Sequence, residues 1–117
     1  MKPQSAKAKG RNLQKWVRDL LLENFPSLEP DDVRSTSMGC GGEDLQLSPA
    51  ARKLFSFSIE CKNVERLNVY DAYDQASANS GDYEPLLIMK KNRKKPLVVM
   101  DAEHFVELIK NLWLDRH

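Results

Sequence analysis

The fold class is decided by residues 55–62, which read FSFSIECK. Every odd-numbered position in this stretch is apolar and every even-numbered position is polar, which is the period-two pattern of a β-strand. The odd-numbered side chains are therefore expected to enter a core, and the even-numbered ones to share the opposite, open face. Glu60 and Lys62 then project from the same side of the sheet, so their charged ends can share one site.

Helical patterns lie on both sides of this strand. Apolar residues recur at the spacing of one helical face from about Arg11 to Asn24 and again from about Asn68 to Asn79, and Asp101 is a suitable N-cap for a further helix. Ser48-Pro49 resembles the start of one or two more helical turns. Short strands are predicted at Val33–Ser37, Asp44–Leu47, Leu86–Met89 and Leu97–Met100, the last two forming a hairpin. The predicted order is α-β-β-β-α-β-β-α, an α/β fold with a mixed central sheet flanked by helices.

Length and composition indicate one globular domain. The chain has 117 residues, of which 41% are hydrophobic and 30% charged, and we assign residues 11–117 to the domain and 1–10 to a flexible basic arm. No apolar run approaches the roughly 18 residues of a membrane span, and no signal sequence is recognised, so a cytoplasmic location is expected. The two cysteines, Cys40 and Cys61, do not have the spacing of a zinc site.

The basic residues are concentrated in two stretches without acidic residues, although the net charge is only +1. The first spans residues 1–18 and the second residues 90–95; together they contain Lys2, Lys7, Lys9, Arg11, Lys15, Arg18, Lys90, Lys91, Arg93, Lys94 and Lys95. Such stretches can bind phosphate groups. They can also serve solubility alone, and composition leaves both interpretations open.

Asp44 gives the Glu60–Lys62 pair a possible third member. It stands sixteen residues before Glu60, directly after a glycine-rich turn at residues 39–42 and at the start of a predicted strand. If the two strands pair, the two carboxylates approach each other and can hold a hard divalent cation through oxygen ligands. The side chain of Cys61 points to the core, and its backbone carbonyl can supply a further oxygen.

These residues, Gly41-Gly42-Glu43-Asp44 followed by Ile59-Glu60-Cys61-Lys62 among helices in this order, resemble the PD-(D/E)XK nuclease superfamily. The resemblance extends from about Gly10 to Met100. Small Holliday-junction resolvases and phage-encoded relatives within that superfamily are the most similar in size and layout. The resemblance implies a restriction-endonuclease-like core and hydrolysis of DNA phosphodiester bonds.

The resemblance also implies roles for individual residues. Asp44, Glu60 and the carbonyl of Cys61 would bind Mg²⁺, for which Mn²⁺ can substitute. Lys62 would orient or help to deprotonate the attacking water and stabilise charge on the phosphate. Gln75 would touch the DNA backbone, although a solvated helix residue is an equal alternative.

Two positions depart from the family pattern. Glu43 replaces the proline of the family name. Gln14 stands where many resolvase-like members carry a metal-binding glutamate on the first helix, so its part in the metal site is an open question. Glu43 is a candidate to compensate for that missing charge, although an extended backbone would turn its side chain away from Asp44.

The leading hypothesis is a Mg²⁺-dependent, structure-selective DNA endonuclease of a bacterial or phage-infected cell. Its DNA contacts would come from Gln75 and from the basic side chains of Lys7, Lys9, Arg11, Lys15, Lys90, Lys91, Arg93, Lys94 and Lys95. A branched substrate with two-fold symmetry calls for a homodimer, because one chain supplies one site. The alternatives are a nicking, flap or restriction-type nuclease of the same fold, and a DNA-binding protein without catalysis.

Overall fold

The computed structural model describes residues 5–36 and 43–117, and in these residues helices alternate with strands. The helices are α1 (Ala6–Asn24), α2 (Pro49–Leu54), α3 (Val69–Ala78) and α4 (Ala102–Arg116). The strands are β1 (Val33–Ser35), β2 (Leu45–Leu47), β3 (Phe57–Asn63), β4 (Glu84–Lys90) and β5 (Leu97–Val99), and a 3-10 turn (Pro30–Asp32) precedes β1. The α/β class is as predicted, and the order of the elements differs from the predicted one by the short helix α2, which stands between β2 and β3. The glycine-rich turn at residues 39–42, including Cys40, lies outside the described residues.

Helix α1 begins five residues earlier than predicted. The Ser5 hydroxyl oxygen accepts a hydrogen bond from the amide of Ala8 at 3.1 Å, which is an N-cap interaction. Residues 6–10 are therefore helical, and assigning them to a flexible arm was wrong. Apolar periodicity did not reveal this first turn and a half because no residue in it is buried, and capping together with alanine propensity stabilises it instead. Residues 1–4 of the predicted arm lie outside the described part of the chain.

The strands form two hydrogen-bonded sheets instead of the single mixed sheet that was predicted. Strands β1 and β2 are antiparallel, whereas β4 lies between β3, to which it is parallel, and β5, to which it is antiparallel. The α3 crossover makes the parallel β3–β4 pair possible. The two sheets meet where the amide of Asp44 donates to the carbonyl of Ile59 at 2.9 Å. This bond places the start of β2 beside the middle of β3.

Both faces of β3 are covered, which corrects the expectation of one open face. On one side Ile59 and Cys61 join a core with Leu13, Val17 and Leu21 of α1. On the other side Ser58 and Glu60 are also buried. Covering that second side is α3, whose buried residues Ala72 and Ala76 have small side chains that let the helix approach the sheet closely. Strand β3 lies at the edge of its sheet but is buried on both faces, as strands of parallel pairs usually are.

Helices α2 and α4 begin at the predicted caps. The Ser48 hydroxyl oxygen accepts from the amide of Ala51 at 3.1 Å, and the Asp101 carboxylate accepts from the amide of His104 at 2.8 Å. Across residues 5–36 and 43–117, no helix combines the length and the apolarity needed to cross a membrane.

Candidate active site

Asp44 is held over the middle of β3 by two hydrogen bonds. Its amide donates to Ile59, and its side-chain oxygen Oδ2 accepts from the amide of Cys61 at 2.6 Å. Burial raises the pKa of Asp44, while the Cys61 hydrogen bond and the charge of Lys62 oppose that rise. The carboxylate therefore has a fixed position and a charge that the surrounding protein only partly compensates.

Glu60 lies in β3, directly before Cys61, and is only 4% exposed. Its Oε1 atom is 3.8 Å from the Nζ atom of Lys62. Its Oε2 atom is buried and has no hydrogen-bond partner in the described part of the chain. Burial raises the pKa of Glu60, and the negative charge of Asp44 raises it further, whereas Lys62 and the side chain of Asn79 lower it. A buried carboxylate oxygen without a donor is costly, and native proteins seldom leave one without a reason.

The structure thus brings Asp44, Glu60 and Lys62 together. They lie close enough for Asp44 to raise the pKa of Glu60 and for Lys62 to lower the pKa of both acids. The side chain of Lys62 is 29% exposed and links this group of residues to solvent. The two carboxylates thus lie near each other, and Lys62 lies near both. Their catalytic roles stay predictions.

The donor set suits a hard cation. The pKa values of both carboxylates are raised by burial, and Asp44 is close enough to raise the pKa of Glu60 further. Within the described residues Glu60 Oε2 has no hydrogen-bond partner, and a cation would supply one. Among residues 5–36 and 43–117, no group of three or more His, Cys, Asp or Glu side chains is arranged to hold a metal ion. The described site therefore offers two acidic ligands.

The other two predicted ligands are also buried residues. Gln14 is buried on the face of α1 that packs against β3, between Leu13 and Val17 of the core. The Cys61 thiol also lies in that core, as predicted, and burial raises its pKa far above the usual range for cysteine, with the charges of Asp44 and Glu60 adding to the effect. This thiol is therefore not a nucleophile at neutral pH. Metal binding by Gln14 or by the Cys61 carbonyl stays a prediction.

Arg52, which the sequence did not single out, organises the side of the site next to Asp44. Its guanidinium donates to the Phe57 carbonyl at 2.7 Å and forms a short ion pair with Glu43. The same group lies 4.1 Å from the centre of the Tyr83 ring. Glu43 is thus engaged by Arg52, and its compensation for the neutral Gln14 stays a prediction.

A polar cavity of about 310 Å³ adjoins Arg52. It is lined by residues from the start of β2 and from the turn after α3, among them Gln46, Asn79 and Asp82. Asn79 also acts on Glu60, so the cavity lies close to the carboxylate pair. No sequence signal joins these residues, because Arg52 is nine positions from Glu43 and thirty-one from Tyr83.

The two basic stretches meet at the carboxyl end of β3. The Asn63 side chain donates to the Lys9 carbonyl at 3.1 Å, and the Val64 amide donates to the Lys90 carbonyl at 3.0 Å. Between the stretches lies a cavity of about 170 Å³ whose lining includes Trp16 of α1 and Pro96. The basic region thus lies at the end of β3 that follows Lys62, and the Asn63 side chain reaches Lys9 on the α1 face, opposite to Glu60.

The turn between β4 and β5 is fixed although its side chains point into solvent. The amide of Asn92 donates to Glu65 at 2.7 Å, and Arg93 adopts a left-handed backbone with φ of 64°. Among the predicted DNA contacts the exposed ones are Lys7, Arg11, Lys15, Gln75, Lys91, Arg93, Lys94 and Lys95, whereas Lys9 and Lys90 are half-buried. Lys2 lies outside the described residues.

Comparison with known proteins gives no relative: no family model, no curated protein and no solved structure matches the chain.

Proposed function

We propose that the protein is a Mg²⁺-dependent DNA endonuclease with a restriction-endonuclease-like core, as in the PD-(D/E)XK superfamily. The observation that carries the proposal is the buried pair of carboxylates, Asp44 and Glu60, beside Lys62, with one Glu60 oxygen lacking a hydrogen-bond partner in the described residues. A structural role alone does not account for two partly compensated acids, one within β3 and one held against it, because such a pair destabilises the fold.

Asp44 and Glu60 would hold the cation, with the Cys61 carbonyl as a further oxygen ligand. When bound, Mg²⁺ supplies positive charge that acidifies water and stabilises the phosphorane-like transition state. The chain contributes the rigidity of the site: the Cys61 amide fixes the Asp44 carboxylate, so the ligand does not have to reorganise.

Lys62 would act on the substrate. Its ammonium group is 3.8 Å from Glu60 at the solvent-facing side of the site, where it can donate to a phosphate oxygen or orient the attacking water. Lys62 is therefore assigned to charge stabilisation and water positioning.

The topology supports the fold assignment. Helix α1 is followed by the antiparallel pair of β1 and β2, by the short helix α2, by strand β3 with Glu60 and Lys62, and by a helical crossover to the parallel strand β4. Asp44 at the start of β2 meets β3 through backbone hydrogen bonding. The departures at Glu43 and Gln14 leave the two carboxylates and the lysine of the pattern in place.

The basic region at the end of β3 supports DNA as the substrate. Contacts from flexible lysines to phosphates carry no base information, so they favour recognition of DNA shape over sequence. We therefore place structured DNA, with a four-way junction as the leading case, as the substrate in the cytoplasm of a bacterial or phage-infected cell. Two symmetric incisions would require two copies of the chain.

Cleavage of a panel of DNA shapes with Mg²⁺ or Mn²⁺ tests the proposal. Junction, flap, nicked and linear duplexes are compared for the wild type and for Glu60→Gln and Lys62→Met, with DNA affinity measured in parallel. We expect wild-type cleavage, with symmetric cuts on the junction, and at least 10²-fold slower cleavage by both variants at nearly unchanged affinity. A wild type that cuts no member of the panel with either metal would refute the proposal.

Binding without catalysis is the second candidate. Its supporting observation is that the described residues offer only two acidic ligands, with the neutral Gln14 on α1. It predicts that all three proteins bind DNA equally and that none cuts. Asymmetric or single incisions would instead favour a nicking, flap or restriction-type nuclease of the same fold.

A further inference from the structure

A cavity of about 360 Å³ lies at the carboxyl ends of β3 and β4, on the side of the sheet that carries Lys62. Its apolar walls come from the loop after β3, from β4 and from the start of β5, and they are Val64, Leu67, Met89 and Leu97. Met89 is paired with Lys62 in β3 and with Leu97 in β5, so these three side chains share one face of the sheet. Because neighbouring strands are about 4.8 Å apart, one wall of the cavity stands directly beside Lys62.

The rim of this cavity is positively charged. The lysines of its lining are Lys90, Lys91, Lys94 and Lys95, of which the last three are exposed. Glu65 also lines the cavity, and its carboxylate accepts from the amide of Asn92 at 2.7 Å. This bond and the one from the amide of Lys94 to the carbonyl of Lys91, at 3.1 Å, fix the turn that carries the lysines. The positive charges are therefore held next to the apolar walls before a ligand binds.

Apolar walls beside a fixed cluster of lysines suit a ligand that has a flat apolar group between anionic groups. A nucleotide within a DNA strand has this form, because its base has two apolar faces and a phosphate lies on each side of its sugar. The volume of the cavity is within the range of about 300–1,000 Å³ that is usual for ligand sites. The flexible thioether of Met89 can adapt to the face of a ring.

We infer that this cavity receives the base of one unpaired nucleotide of the DNA substrate, while Lys91, Lys94 and Lys95 bind the phosphates that flank it. The inference rests on the proposed function and adds a requirement to it: the substrate must offer an unstacked nucleotide close to the cleaved bond. Extracting a base from an intact duplex costs pairing and stacking energy, and the cost is least for a base that is already unpaired. The cavity therefore selects bulges, flaps and open branch points over continuous duplex.

The position of the cavity also limits where the strand is cut. Lys62 belongs to the candidate active site, and its register partner Met89 is a wall of the cavity. A DNA strand advances by about 3.4 Å per nucleotide along a helix axis, so only a few nucleotides fit between the two places. Incision is expected within about three nucleotides of the unpaired base.

DNA binding in EDTA tests the inference without cleavage. Two duplexes are compared that differ only in a single-nucleotide bulge, which carries a base in one and is abasic in the other. The wild type should bind the base-containing bulge at least 10-fold more tightly, because the abasic nucleotide loses its contact with the apolar walls. Leu97→Gln should bind the two duplexes about equally.

Val98→Gln is the matched control. Val98 is 55% exposed and Leu97 is 59% exposed, but Val98 is paired with the core residue Ile88 and so points to the other face of the sheet. This variant should keep the preference of the wild type for the base. Circular dichroism of both variants checks that they fold.

A wild type that binds both duplexes alike, or binds neither, would overturn the inference, as would a preference that Leu97→Gln retains. Cleavage of the bulged duplex with Mg²⁺ separates this inference from the proposed function. A protein that cuts but has no preference for the base loses only the inference, and so does one that cuts far from the bulge. A protein that prefers the base but cuts no DNA keeps the base site and loses only the assignment as a nuclease.

Discussion

Replacing Glu60 by Gln is expected to stabilise the metal-free protein and to remove its response to Mg²⁺. The carboxylate is buried, one of its oxygens has no donor among the described residues, and Asp44 repels it. An unpartnered buried polar group costs about 1–3 kcal/mol, whereas the partly exposed Lys62 pair returns about 0–1 kcal/mol. A neutral amide of the same shape should therefore raise the free energy of unfolding by about 1 kcal/mol, or about 4 °C in Tm for a domain of this size.

The effect has a definite pH dependence. Because folding raises the pKa of Glu60, the stabilising contribution of its protonated form is fully present below the ordinary pKa and is lost as pH rises through the raised value. At neutral pH the free energy of unfolding of the wild type is thus furthest below that of Glu60→Gln. The difference in Tm between Glu60→Gln and the wild type should be largest at pH 7.5 and should shrink as the pH falls towards 4.5.

Thermal unfolding with EDTA and with increasing Mg²⁺ measures both effects. Mg²⁺ at ten times its Kd should stabilise the wild type by about 1.4 kcal/mol and leave Glu60→Gln nearly unchanged. Asp74→Asn removes the same charge at an exposed position of α3 and should stay within about 0.5 kcal/mol of the wild type. A lower Tm for Glu60→Gln in EDTA, or an equal response to Mg²⁺, would refute the reasoning.

Two further predictions concern the packing of α3 and the basic turn. Ala76→Leu should lower the free energy of unfolding, measured in urea, by about 1–3 kcal/mol, because Ala76 is 1% exposed on the side of α3 that faces the sheet. Ser77→Leu at the neighbouring exposed position should change this free energy by less than about 0.5 kcal/mol. Equal effects of the two substitutions would contradict the close approach of α3. The double variant Lys94→Gln, Lys95→Gln should bind DNA more weakly, and the slope of the logarithm of its DNA-binding constant against the logarithm of salt concentration should be smaller by about 2. Lys53→Gln on α2 should leave this slope unchanged. An unaltered slope in the double variant would show that these two lysines do not contact DNA.

Much of the fold follows from short-range patterns. The alternation in residues 55–62 predicted β3, the caps at Ser48 and Asp101 predicted where helices begin, and the basic turn was correctly placed in a hairpin. The start of α1 was missed because its first residues face solvent and carry no apolar period. The division of the strands into two sheets was also missed, since sequence does not reveal how many ladder bonds three-residue strands will make.

The candidate site divides in the same way. Strand periodicity places Glu60 and Lys62 on one side, and the position of Asp44 after the glycine turn makes it a plausible neighbour. The burial of Glu60 and the engagement of Glu43 by Arg52 did not follow from the sequence. Both depend on contacts between elements that are remote in the chain.

The sequence by itself determined where the helices and strands form and which residues carry charge, because caps, turns and hydrophobic periods act over a few residues. Only the tertiary structure decided that α3 closes the polar face of β3, that the two basic stretches meet at the carboxyl end of β3, and that α4 keeps its apolar face exposed. The physical reason is that burial and electrostatic environment are set by whichever element packs against a residue, and that choice is made by the free energy of the whole fold.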